Sequence, residues 1–223
     1  MALIELNQFA LSAEKKGYGI HPCDFWLKNG DVVQLRTDSI NDAHLLFKGL
    51  ATLAYPSEGT YIFKGHKLDF CDYRQLLNIK KKIGYLASDT ALISNRTIRE
   101  NLCMGHVYFD NDLSNKLDEE TLAMCRDFGL TDILNERPTH LGVNDNHRSM
   151  LVREWMKSPE LMLVEYPKSF SGQRHKDRMI DLFQTSVSNG MILVYLSFDP
   201  DFIQAFPGHI LNIREGRVTL LKQ

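Results

Sequence analysis

Short apolar runs recur along the chain, separated by longer stretches in which the apolar residues are spaced three and four apart. Val32–Leu35, Tyr61–Phe63, Ile83–Leu86, Leu161–Val164 and Met191–Tyr195 are unbroken or nearly so, which predicts strands. His44–Ala54 and His147–Lys157 carry the helical spacing instead. Strands alternating with helices predict an α/β fold. The segment from Leu113 to Arg137 has few β-branched residues and repeated leucine and acidic positions, and Arg137-Pro138 closes it, so a helical insertion is expected there. Near the C-terminus, Ile210–Ile213 and Arg217–Leu221 flank Arg214-Glu215-Gly216, a turn whose glycine can take positive φ, which predicts a hairpin.

Composition narrows the class. The chain has 223 residues, 43% hydrophobic and 24% charged, enough for one large domain. Its longest apolar runs, Leu161–Val164 and Met191–Leu196, fall far short of the roughly 20 residues of a membrane span, and the N-terminal stretch lacks the layout of a signal peptide. A formal net charge of -2 offers no wide basic field, so Lys80–Lys82 reads as solvated surface and no nucleic-acid partner is expected. Cys23, Cys71, Cys103 and Cys125 form no C-x-x-C pair, which argues for free thiols in a reducing compartment. The histidines are scattered over separate elements without an H-E-x-x-H pattern, so no metal centre is expected. Ser171 and Ser197 lie outside any G-x-S-x-G turn and read as loop residues.

The stretch from Gly30 to Gly65 sets a turn, a buried strand, a loop and an apolar-periodic helix in order, with that helix expected to run to Tyr55-Pro56 before Ser57-Glu58-Gly59. It resembles the start of an ATP-binding-cassette (ABC) transporter ATPase, in which a strand, the loop G-x-x-x-x-G-K-[ST], a helix and a Pro-x-x-Gly turn follow in this spacing without a gap. In that register the first glycine falls on Thr37, the second on Asp42, the lysine on Ala43 and the metal-binding hydroxyl on His44. Glycines let backbone N–H groups approach phosphates, lysine neutralises them and the hydroxyl helps ligate magnesium, so each change removes a requirement for holding ATP. A lost cation and a gained carboxylate each cost on the order of 3–4 kcal/mol per charge pair at an effective dielectric near 20. Asp42 is expected to act as the N-cap of the helix, filling internally the place of a phosphate.

The later motifs follow suit. Lys82 to Asp89, followed by Leu92-Ile93 and Thr97 to Leu102, resembles the family's Q-loop region, with Ser88 at the glutamine position. Leu141 to Pro167 resembles the signature helix and the second nucleotide motif. The signature, Leu-Ser-Gly-Gly-Gln in the family, reads Leu141-Gly142-Val143-Asn144-Asp145. The magnesium-organising Asp and catalytic Glu fall on Glu165 and Tyr166, and the switch histidine falls on Phe198. Tyrosine is a poor base at neutral pH, its ordinary pKa being about 10. Glu165 retains an acid and is expected to be a strand-end acid without a neighbouring hydroxyl.

The resemblance implies a P-loop NTPase (RecA-like) α/β core with an N-terminal antiparallel β portion and a helical subdomain at about residues 104–154. It implies a cassette that dimerises head to tail and docks on a membrane permease at the inner face of the membrane. Leu92, Ile93 and Ile98 would be apolar anchors toward that permease, although internal packing is as open for each. With the motif residues replaced, no ATP or magnesium is expected, and the leading reading is a non-hydrolysing structural or regulatory subunit, homodimeric or paired with an active cassette. A second reading keeps altered ATP binding, with Glu165 and Arg36 or Lys48 as replacement charges. A third keeps only a free cytoplasmic interaction module.

Overall fold

A computed structural model describes residues 2–13, 16–110 and 114–221 of the protein. Leu113, where the helical insertion is expected to begin, lies outside the described residues. The strands are β1 (Ala2–Leu11), β2 (Ile20–Lys28), β3 (Val32–Thr37), β4 (Glu58–Phe63), β5 (His66–Lys67), β6 (Ile83–Leu86), β7 (Leu161–Glu165), β8 (Ile192–Leu196), β9 (His209–Arg214) and β10 (Arg217–Leu221). The helices are α1 (Ile40–Leu50), α2 (Tyr73–Lys80), α3 (Ile98–Asp110), α4 (Glu119–Asp127), α5 (Val143–Trp155), α6 (Pro167–Ser171), α7 (Lys176–Ser188) and α8 (Pro200–Ala205). Single 3-10 turns at Thr131–Ile133 and Pro138–His140 join α4 to α5.

A six-stranded sheet in the order β10-β9-β3-β8-β7-β6 forms the centre, parallel from β9 through β6. Every residue of β7 and β8 is buried, which is why their sequences are continuous apolar runs rather than alternations. Alternate residues feed opposite layers. Leu161, Leu163, Ile192, Val194 and Leu196 join the core beneath α1 and the second sheet, whereas Met162, Val164, Leu193 and Tyr195 join the core made with α3, α5, α7 and α8. The C-terminal hairpin turns through Glu215 (φ 48) and Gly216 (φ 77), so both turn residues take positive φ.

The second sheet, in the order β2-β1-β4-β5, is antiparallel and packs on α1. Its two longest strands are hard to find by pattern. In β1, Gln8 takes φ 49 and the register shifts between Leu6 and Phe9, so both of these are buried although three residues apart. The two-residue alternation that marks a strand is thereby interrupted.

Helix α1 ends four residues earlier than its apolar spacing suggests. Thr52 turns left-handed (φ 59), its N–H bonds the Gly49 carbonyl (3.0 Å), and the Leu53 N–H reaches back to the Lys48 carbonyl (2.8 Å). This double closure meets the last free carbonyls and stops the helix at Leu50. Helix α5, expected from His147, begins at Val143. All four cysteines are free thiols, and burial pushes the Cys23 thiol up to about 12 and the Cys125 thiol up to about 11.

Helix α3 is started by a reciprocal cap. Thr97 Oγ1 accepts the Glu100 N–H (3.2 Å) while Glu100 Oε2 accepts the Thr97 N–H (2.7 Å). The fully buried Asn101 ties the preceding loop to this helix, accepting from the Ile93 N–H and donating to the Ile93, Arg96 and Thr97 carbonyls. Thr97→Ala is expected to lower stability by about 1 kcal/mol in urea denaturation. The Thr97 N–H, and next the Arg96 guanidinium, lower the Glu100 pKa. A lowered folded-state pKa means stability present above the ordinary carboxylate range and lost as pH falls through it, so the deficit of Glu100→Gln should shrink on acidification.

Candidate functional site

Strand β3 passes into α1 with only Asp38 and Ser39 between them. Thr37 closes this turn itself: its Oγ1 accepts the Ser39 N–H (2.9 Å) and donates to the Ser39 carbonyl (2.8 Å). Ser39 is the N-cap of α1, its Oγ accepting the Asp42 N–H at 3.3 Å. The expectation that Asp42 caps the helix is therefore corrected: Asp42 already sits in the first turn, where its carboxylate turns away to the Tyr18 and Gly19 backbone. Residues 40–42, which an open phosphate loop would leave extended, are helical. Ala43 is wholly buried in the core, and His44, next along, points toward the end of β7.

There the structure gathers three of the residues singled out in the sequence, and one that was not. Glu165 is 1% exposed. Its Oε1 lies 2.7 Å from His44 Nδ1 and accepts the Tyr85 hydroxyl at 2.5 Å; its Oε2 accepts the Ser88 hydroxyl at 2.8 Å and, more weakly, the Ser88 N–H at 3.4 Å. The expectation of an acid without neighbouring hydroxyls is overturned, because β6 and the residues just after it deliver both beside the end of β7. Across the imidazole, His44 Nε2 lies 3.4 Å from the exposed Asp89. Burial, and next the Glu165 charge, push the Tyr85 hydroxyl well above its ordinary range, so it stays a proton donor to Glu165. Its ring stacks on Phe47 of α1 at 6.1 Å, which holds the hydroxyl in place.

Tyr166 follows Glu165 in a left-handed conformation (φ 54), and Pro167 begins α6 directly after it. Burial, then the neighbouring Glu165 charge, raise its pKa, which moves it further from acting as a base. Its ring lies 6.1 Å from Phe198, which is 72% exposed beyond β8. The Phe198 turn is pinned from behind: Lys176 of α7 lies 3.1 Å from Asp199, the N-cap of α8, and 2.5 Å from Asp201.

The family model described as ABC transporter matches residues 45–169, more than half of the chain. The chain belongs to the ABC transporter family. It is 23% identical over 201 residues to the macrolide export ATP-binding/permease protein of Nitrosomonas europaea, covering 90% of this chain and 30% of that protein. It is 24% identical over 199 residues to a phosphonates import ATP-binding protein of a Synechococcus species, covering 86% of this chain and 74% of that one. This chain thus spans about three-tenths of the length of the macrolide export relatives. Among solved structures, the dimeric post-hydrolysis state of an ATP-binding cassette bound to ADP and Pi superposes with a TM-score of 0.81 at 18% identity, covering 98% of both chains. A nucleotide-free cassette from an ABC transporter superposes with a TM-score of 0.77 at 11% identity, covering 100% of this chain and 92% of that one. The fold is that of the P-loop ABC cassette.

In this ABC family chain the residues expected at the signature positions lie at the start of α5. Leu141 to Asp145 form the head of α5: Gly142 is the N-cap, Val143 is 68% exposed, Asn144 is exposed, and Asp145 pairs with Arg148 one turn on. His147 of the same helix bonds the Ser169 carbonyl at 2.9 Å, tying α5 to α6. Leu92 and Ile98, expected as outward anchors, are corrected: at 8% and 0% exposure they belong to the core around α3, and only Ile93, at 41%, faces outward. Ile98 lies on the inner face of the capped helix α3, and Leu92 on the loop before it. Of the two candidate replacement charges, Arg36 donates to Gln34 Oε1 (3.2 and 3.0 Å), and Lys48 lies in the last turn of α1. Tyr85 was missed because in sequence it is only a strand aromatic. Removing its hydroxyl alone, by Tyr85→Phe, should cost about 1.5–3 kcal/mol in urea denaturation, as for a hydrogen bond to a charged acceptor.

Proposed function

We propose that the chain is a non-hydrolysing, cassette-like subunit that supports a membrane permease structurally or regulates it, in a pair with a second cassette. The observation that carries this reading is the occupancy of Glu165. At the position of the magnesium-organising acid, both carboxylate oxygens are engaged by the protein's own His44, Tyr85 and Ser88. Magnesium and ATP do not fit these residues. Magnesium takes hard oxygen ligands and open carboxylate lone pairs, whereas an imidazole lies against Glu165 here. Asp42 and Ala43 supply no cation for a phosphate, and Tyr166 supplies no base. Thr37, Asp42, Ala43, His44, Ser88, Glu165, Tyr166 and Phe198 are, on this reading, a degenerate nucleotide site, and Leu141–Asp145 a degenerate signature.

The partner part of the reading is supported by the relatives. The Nitrosomonas europaea protein is by its name both ATP-binding and permease, and this chain aligns to less than a third of it. No helix among the described residues is long and apolar enough to cross a membrane, so a permease partner would supply the spanning part. Attachment would then be peripheral, on the cytoplasmic face. The exposed Ile93 is the apolar candidate for that contact, and the helices within about residues 104–154 form the proposed helical subdomain. In a pair with an intact cassette, the partner's phosphate loop would meet the Asn144-Asp145 surface of this chain.

Titration of the purified protein with Mg-ATP to millimolar concentration is expected to give neither binding heat nor a rise in melting temperature, since a ligand specific to the native state must raise it. Binding at micromolar concentration would overturn the reading and return the chain to the ATPases.

A further inference from the structure

Asp42 is 1% exposed, yet its carboxylate hydrogen-bonds outside the helix that carries it. Its Oδ1 accepts the Tyr18 N–H and the Gly19 N–H, each at 3.0 Å, and its Oδ2 lies 3.2 Å from the Tyr18 nitrogen. Two successive backbone N–H groups converging on one anion make a concave anion site, and the convergence needs unusual backbone. Gly17 (φ 121) and Gly19 (φ 78) provide it on either side of Tyr18. The space is also closed to a side chain, because a Cβ on Gly17 would sit 2.4 Å from Asp42 Oδ1. The loop between β1 and β2 is thereby drawn onto the first turn of α1, with the Tyr18 ring 58% exposed above it.

We infer that Asp42 is an internal anionic ligand: its carboxylate occupies an anion site built by the Tyr18 and Gly19 amides, and so straps the β1–β2 loop across the head of α1. The inference deepens the proposed function, resting on the reading that the phosphate face is closed by the chain's own side chains. A carboxylate delivered by α1 gives the loop the anion it folds around, so the loop is held whether or not any nucleotide is present. Asparagine in its place would keep one acceptor and lose the charge; alanine would lose both.

The test is amide hydrogen exchange on the full chain, comparing the wild type with Asp42→Asn, Asp42→Ala and Gly17→Ala. Protection of the Tyr18 and Gly19 amides should fall by about tenfold or more in Asp42→Ala, less in Asp42→Asn, while the paired residues of β2 stay protected. Gly17→Ala should release the same amides by pushing the carboxylate out. In Asp42→Ala, sodium acetate should restore the protection and raise the melting temperature, where sodium chloride at equal ionic strength does not. Unchanged protection of Tyr18 and Gly19 in Asp42→Ala overturns the strap. Release without recovery in acetate overturns the anion site. If Asp42→Ala does not fold, Asp42→Asn and Gly17→Ala carry the same exchange comparison. Nucleotide binding by the wild type bears on the proposed function alone, because none of these readouts uses nucleotide.

Discussion

A carboxylate taken out of water must have its lone pairs met, or it costs several kcal/mol. Glu165, at the end of a strand buried along its whole length, imposes that demand at the centre of the molecule. Three separate parts of the chain answer it: His44 from α1, Tyr85 from β6 and Ser88 just after β6. Meeting the demand fixes where α1 and the β6 edge stand relative to β7. The stacking of Tyr85 on Phe47 and the short turn at Thr37–Ser39 then follow as ways of holding those donors in place.

The same pattern runs along the C-terminal ends of β3 and β7. Where a phosphate-binding loop would leave backbone donors free for a ligand, Ser39 caps α1 and Asp42 takes up the amides of the loop above. At the end of β7, Tyr166 is held in a left-handed turn against Phe198. Donors and acceptors along this face are completed by side chains of the same chain. The frame of an ABC cassette is locally satisfied here by its own side chains.

Much of the frame was legible in the sequence. Strands β6, β7 and β8 were marked by apolar runs, because buried strands leave little room for polar residues, and β10 by the hairpin turn before it. What escaped was non-local. The bulge at Gln8 hid β1 by breaking its alternation. The left-handed closure at Thr52 shortened α1 without a glycine to announce it. Asp42 looked like a cap because its true acceptor role depends on amides 24 and 23 residues away. Leu92 and Ile98 show the converse: an apolar residue beside a predicted loop does not reveal whether it faces a partner or its own core.

His44 and Glu165 are 121 residues apart in the chain, Tyr85 and Glu165 80, and Ser88 and Glu165 77. Contacts of such separation must wait for long loops to close, so they are made after the local helices and the turn-connected strands have formed. A cluster that closes only after those elements have formed contributes little to the folding transition state. Interactions of that kind leave the rate of folding nearly untouched and slow the rate of unfolding instead. The hydrogen bonds around Glu165, where they form that late, govern how long the native state lasts more than how quickly it is reached.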